Sequence, residues 1–237
     1  PAGWLEMVNA FQAQALETRL QVPLIYGVEA VHGHGNMIGT TIFPHQIGLG
    51  ATRNPDLARR IGEATAREIL ATGIAWNFAP VVVSAQDIRW GRTYETYSRD
   101  VATASELAAA YLVGLQSLPA SYHPPPGQTI YTLATPKHFL GDGGTEWGTS
   151  ETDNYRLDQG DRTIDEADVR NFFLPPYRRA VSQGALSIMP SYSSLNGIKM
   201  HANAYWLTDV LKGELGFPGL IISDLNAVQQ LDDDDYQ

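Results

Sequence analysis

The chain has 237 residues, 43% of them hydrophobic, enough to bury one large core. It contains no cysteine, which excludes disulfides, thiolate metal sites and a cysteine nucleophile, so chemistry must run on carboxylates, His, Lys, Arg, Ser or Tyr. A formal charge of -10 argues against a nucleic-acid partner, which needs a basic surface, and favours a neutral or cationic small substrate. No run approaches the roughly 20 apolar residues of a membrane helix, and the N-terminal PAGWLEMVNAF lacks the layout of a signal peptide. The chain therefore reads as soluble, with no membrane partner.

In chain order, apolar runs that end in polar residues occur at 22–29 (VPLIYGVE), 74–83 (IAWNFAPVVV), 132–139 (TLATPKHF), 186–193 (LSIMPSYS) and 219–224 (GLIISD). Each is expected to be a buried parallel strand. Helical spacing lies between them. Leu107, Ala110, Tyr111, Gly114 and Leu115 share one face, and Thr163 with Glu166 has capping-box spacing ahead of a face made by Val169, Phe172, Phe173 and Tyr177. Pro175 and Pro176 are expected to end or kink that helix. Leu207, Val210, Leu211 and Leu215 form a further stripe after a cap at Asn203. The proline-rich SYHPPPGQ (121–128) predicts a stiff surface connection, and the run Asp232 to Asp235 a solvated tail with no EF-hand spacing.

Alternating strands and helices predict a parallel α/β sheet, either an open doubly wound sheet or a barrel. The first strand runs into EAVHGHGNM, without the G-x-G-x-x-G of a nucleotide-binding turn, and polar residues recur at later strand ends. The reading favoured is one domain over residues 1–237, a TIM-like (β/α) barrel.

The residues that could carry chemistry cluster at those strand ends. Asp224 closes GLIISD, where a carboxylate is poised as a nucleophile, base or metal ligand, or caps the next helix. Lys137 and His138 are adjacent, so both reach one pocket only across a bulge or distortion. Lys137 suits a Schiff base or a structural ion pair. Glu29, His32 and His34 lack H-E-x-x-H spacing, and no metal or cofactor is expected. Arg92 and Glu95 fit either a sugar pocket or a loop anchored by ion pairs, and Asp142, flanked by glycines, fits a turn.

YGVEAVHGHGNMIGTTIFPHQIGLGATRNPDL, RIGEATAREILATGIAWNFAPVV, RWGRTYETYSRD, TPKHFLGDGGT, SYSSLNGIKMHAN and GLIISD occur in this order. Together, over about residues 22–226, they resemble the N-terminal barrel domain of glycoside hydrolase family 3, the β-glucosidases and exo-β-glucanases. The resemblance implies retaining hydrolysis of terminal β-D-glucosyl residues from β-glucosides or β-glucans, and a secreted or periplasmic location. It makes Asp224 the nucleophile, and Arg92, Lys137, His138, Met189 and Tyr192 sugar-binding residues. Glu29 stands where the family usually has Asp, and Leu225 where many glucan-active members have Trp. The loop LGDGGTEWGTSETDNY contains no His, unlike the β-N-acetylhexosaminidase subgroup, which draws its acid/base from that loop.

A retaining glycosidase needs two carboxyl groups about 5–5.5 Å apart. In the glucosidases the second is a Glu from a domain after the barrel, so this chain is expected to lack that acid/base domain and the closing strand and helix of the barrel. The barrel is accordingly expected to be incomplete or irregular, and weak as a catalyst alone. A non-catalytic sugar-binding barrel and a Lys137 Schiff-base aldolase are the alternatives from other classes.

Overall fold

The computed structural model describes residues 2–123, 126, 131–150, 152 and 155–231. The acidic run Asp232 to Asp235 and much of the proline-rich loop lie outside them. The strands are β1 (Gly27–Val28), β2 (Trp76–Asn77), β3 (Leu133–Ala134), β4 (Lys137–Phe139), β5 (Asp161–Arg162), β6 (Ser187–Pro190), β7 (Ser194–Leu195), β8 (Ile198–Lys199) and β9 (Leu220–Ile221). All five expected apolar runs contribute to one parallel wall. Its order is β1-β2-β3 and then β4-β6-β9, the halves joined by a parallel bridge between Val81 and Lys137.

Successive parallel strands adjacent in space are the wall of a TIM-like α/β fold. The wall does not close: among the described residues β1 pairs only with β2, and β9 only with β6. A small sheet, β5-β7-β8, departs from the expected pattern. Its hairpin turns at Asn196-Gly197 with φ of 53° and 81°, a conformation that Asn and Gly adopt most readily.

Among the described residues the α-helices are α1 (Ala2–Glu17), α2 (Gln46–Thr52), α3 (Pro55–Leu70), α4 (Val101–Gln116), α5 (Glu166–Asp168) and α6 (Pro175–Ser182), with α4 packed on β3. The segments Val169–Phe173 and Tyr205–Glu214 are π-helical. Asn54 and Asp100 cap α3 and α4 by accepting from the Leu57 and Thr103 amides at 3.0 and 2.8 Å. The two helices touch through glycines. A Cβ on Gly62 would meet the Tyr111 carbonyl oxygen at 2.4 Å, and one on Gly114 the Arg59 carbonyl oxygen at 2.0 Å, so any larger residue forces the pair apart.

The cap of α5 is Asp165, which accepts from the Asp168 amide at 2.8 Å, and not Thr163. Its face also differs from expectation: Val169, Phe173 and Tyr177 are buried, but the wider π-helical turn leaves Phe172 exposed. Pro175 and Pro176 do end that segment and open α6, where a missing N–H costs nothing. Asn203 Oδ1 accepts from the Trp206 amide at 3.2 Å, as a cap does.

Candidate active site

At the C-terminal ends of the parallel strands lies a cavity of about 450 Å³, lined by Glu29, Arg92, Lys137, His138, Tyr192 and Asp224, with His32, His45, Tyr94 and Glu95. Glu29 follows β1, Lys137 and His138 belong to β4, Tyr192 lies two residues after β6, and Asp224 three after β9. Adjacent Lys137 and His138 both line it. Pairing of β4 with β6 shifts register between Lys137 and Phe139, and the Lys137–His138 peptide is cis.

Electrostatics orient the floor. Arg92 holds Glu95 through two hydrogen bonds of 2.9 and 2.8 Å, a planar fork on a carboxylate. Its Nη2 is also 3.3 Å from His138 Nε2. A guanidinium can only donate, so that nitrogen is the acceptor and the imidazole proton sits on Nδ1, which donates to Asp142 Oδ2 at 2.7 Å. Burial, then the charges of Arg92 and Lys137, hold His138 well below the usual histidine range, consistent with a neutral ring. Asp142 is pushed up to about 6 by burial, against the pull of Arg92 and the Gly143 amide. Lys137 Nζ is held 2.6 Å from Glu29 Oε2; the lysine is buried and the glutamate half-exposed.

Asp224 faces this floor from the last strand, with Oδ2 3.6 Å from His138 Nε2. Its Oδ1 accepts from the adjacent Leu225 amide at 2.7 Å, a contact inside the turn, and the short helix Ala227–Gln230 that follows has Asn226 at its N-cap with no side-chain cap bond, so the helix-cap reading of Asp224 does not hold. The Tyr192 hydroxyl donates to the Leu225 carbonyl. Burial, then the charge of Asp224, raise the pKa of that hydroxyl, keeping it a neutral donor.

The remaining expected residues lie elsewhere. Met189 is buried in β6 as the register partner of Lys137 and is not among the lining side chains. His34 is buried with Nε2 3.2 Å from Thr72 Oγ1, away from the cavity that Glu29 and His32 line. Leu225 is 78% exposed. Two residues exceed what the sequence suggests. Asp142 does sit in a turn, between Gly141 and Gly143 at φ of 92° and 74°, yet its side chain serves His138. His201, which lies inside the SYSSLNGIKMHAN segment but was given no role by the sequence, accepts the Asp224 N–H at Nε2, 3.1 Å away.

The family description "Glycosyl hydrolase family 3 N terminal domain" matches residues 3–236. The chain is 34% identical over 230 residues to a lysosomal beta glucosidase of Dictyostelium discoideum, covering 96% of this chain and 27% of that protein. It is 30% identical to the periplasmic beta-glucosidase of Salmonella typhimurium, covering 93% of this chain and 26% of that one. The crystal structure of the exo-1,3/1,4-beta-glucanase ExoP from a Pseudoalteromonas species superposes with a TM-score of 0.85 at 43% identity, over 95% of this chain and 27% of that chain. The chain thus spans about a quarter of the length of these relatives. Across nearly all of its residues, in sequence and in fold, the chain belongs to glycosyl hydrolase family 3, whose N-terminal domain it matches.

Proposed function

We propose that this domain binds the terminal sugar of a β-glucoside or β-glucan and supplies the nucleophile of a retaining hydrolase, with Asp224 attacking the anomeric carbon. The observation that carries the reading is Asp224 at the cavity wall, its Oδ2 3.6 Å across from His138, with Arg92 and Lys137 among the other lining residues. A carboxylate facing polar donors in a cavity of this size suits a sugar and the positive charge that develops at its anomeric carbon. Neutral His138 offers Nε2 to a sugar hydroxyl, while Arg92 and Lys137 donate. Charged hydrogen bonds of this kind contribute about 1.5–3 kcal/mol each.

Attack by Asp224 forms a glycosyl ester and expels the leaving oxygen, which must gain a proton; water then cleaves the ester. A general acid needs a raised pKa. Burial pushes Glu95 up, but the hydrogen bond and charge of Arg92 outweigh it and leave the carboxyl below its ordinary value. Glu29 is engaged by Lys137, and Asp142 is sealed behind His138. We place the proton donor outside the described residues, on a second domain of the same protein. The Salmonella relative, by its name periplasmic, supports a location outside the cytoplasm. Among the described residues no helix is long and apolar enough to cross a membrane.

The test is incubation with an activated 2-deoxy-2-fluoroglucoside and peptide mapping. A glycosyl adduct on GLIISDLNA, absent from Asp224→Asn, is expected. A protein that binds glucose but takes no label is instead a sugar-binding barrel.

A further inference from the structure

The hydrogen-bond ladder between β6 and β9 stops short of the residue proposed to do the chemistry. Leu220 N–H donates to the Leu186 carbonyl at 2.8 Å and Ile222 N–H to the Ile188 carbonyl at 3.0 Å. In a parallel pair this alternation brings the Asp224 amide next, with the Pro190 carbonyl as its acceptor. That bond is not made. The Asp224 N–H donates instead to His201 Nε2 at 3.1 Å, and His201 Nδ1 lies 3.0 Å from the carbonyl of Ser191, the residue after β6. A backbone amide can only donate and a carbonyl only accept, so both contacts demand the same imidazole: proton on Nδ1, bare lone pair on Nε2.

We propose that His201 is a positioning residue for the nucleophile, a neutral imidazole spliced into the sheet between the end of β6 and Asp224. The inference rests on the reading of Asp224 as nucleophile. The spliced ring takes the place of one direct strand-to-strand bond, so β9 diverges from β6 at this point while its backbone stays anchored. His201 itself rides on the turn Met200–Ala202, tied back by the Met200 amide to the Ser193 carbonyl at 3.0 Å. It is not among the residues lining the cavity and has no sugar to bind there. The charged and titratable groups facing it are Asp224 and Lys199, with the Tyr192 ring 6.2 Å away. Burial holds its pKa below the ordinary value against the opposing pull of the Ser191 carbonyl and Asp224, so the bare Nε2 persists at neutral pH. Protonation would set a second donor against the Asp224 amide and release it.

The experiment compares labelling by the fluoroglucoside, glucose affinity by calorimetry, and the imidazole ¹⁵N spectrum in the wild type, His201→Gln and His201→Leu. Gln can place an acceptor oxygen near the Nε2 position, whereas Leu fills space and accepts nothing. Labelling is expected to slow by up to about 100-fold in the Leu variant, the order of effect that a displaced reacting group produces. It should recover to within several-fold of wild type in the Gln variant, with glucose affinity unchanged in both. Equal rates in wild type and Leu variant, or equal loss in Leu and Gln, overturn the proposal. Should the Leu variant not fold, the Gln variant and the wild-type spectrum decide: an Nδ1–H tautomer with bare Nε2 supports it, and an Nε2–H tautomer overturns it. A wild type labelled elsewhere, or not at all, overturns the nucleophile reading instead, and the spectrum still judges the ladder geometry.

Discussion

Lys137 and His138 lie in a strand with neighbours on both sides and are buried, whereas Asp224 follows β9, which among the described residues pairs on one side only, with exposed Leu220 before it and exposed Leu225 after it. Burial around the first pair does two things at once: it keeps His138 neutral and makes its bond to Asp142 costly to break. Among the described residues the nucleophile wall has no such enclosure. Individual side-chain contacts hold it, chiefly His201 on the Asp224 amide and Tyr192 on the Leu225 carbonyl. One wall is therefore rigid because it is packed, and the other because it is tethered, so substitutions should separate recognition and stability from chemistry.

The largest separation is expected from Asp224→Asn. It keeps the size of a partly exposed side chain, so thermal stability should change by no more than about 0.5 kcal/mol. Hydrolysis of an aryl β-glucoside should fall on the order of 10⁴-fold or more, the scale of losing a nucleophile. Steady-state kinetics beside scanning calorimetry checks both; a large loss of stability would put Asp224 in the structural class.

On the packed wall the order reverses. Asp142→Ala strips the acceptor from a buried Nδ1–H and should destabilise the domain by about 1–3 kcal/mol, read by urea denaturation. Asp142→Asn, which can still accept, should recover most of it. If the two variants unfold alike, the tautomer assigned to His138 is wrong.

Acid should strain both walls. Burial lowers the pKa of His34, His45, His138 and His201 below the ordinary 6.5, so each binds fewer protons folded than unfolded. The stability this represents is present above about pH 6.5 and is lost as pH falls through the folded values. Asp142 has the opposite sign: raised from 3.8 to about 6, it favours the folded state when protonated and opposes the loss over that interval. Asp158, also raised by burial, acts in the same sense, and four histidines against two carboxyls leave a net fall, seen as a melting temperature that drops from about pH 7 to about pH 5. The drop should be steeper in Asp142→Asn, which has nothing left to protonate there.

The smallest effect belongs to the edge of the tethered wall. Leu225→Trp places an indole on an exposed site beside Asp224 and should improve KM for a longer β-glucan several-fold, as stacking worth about 1 kcal/mol would. KM for an aryl glucoside, which has no second sugar, should stay the same.

All six wall strands fall within the five apolar runs legible in the sequence, because a largely buried strand writes a continuous apolar run bounded by polar residues. The small β5-β7-β8 sheet was not legible: two-residue strands leave no period to read, although Asn196-Gly197 marked its turn. Lys137, His138, Arg92, Glu29, Tyr192 and Asp224 all reach one cavity, which fits their reading as a group. Met189 is not among its lining residues: it is buried in β6 as the register partner of Lys137. Asp142 was hidden by its own turn, because flanking glycines describe a backbone and say nothing of where the carboxylate points. His201 was hidden by distance, its contact with Asp224 spanning 23 residues and depending on how far a ladder runs.

By itself the sequence determined the parallel α/β class, where along the chain the wall strands fall, and the family, because apolar runs and ordered motifs are local properties that survive without coordinates. Only the tertiary structure decided which nitrogen of His138 carries its proton, that Glu29 is spoken for by Lys137, and that an imidazole replaces a sheet bond at Asp224. Those outcomes depend on burial and on donors and acceptors brought together across the fold, and neither is written in the spacing of residues along the chain.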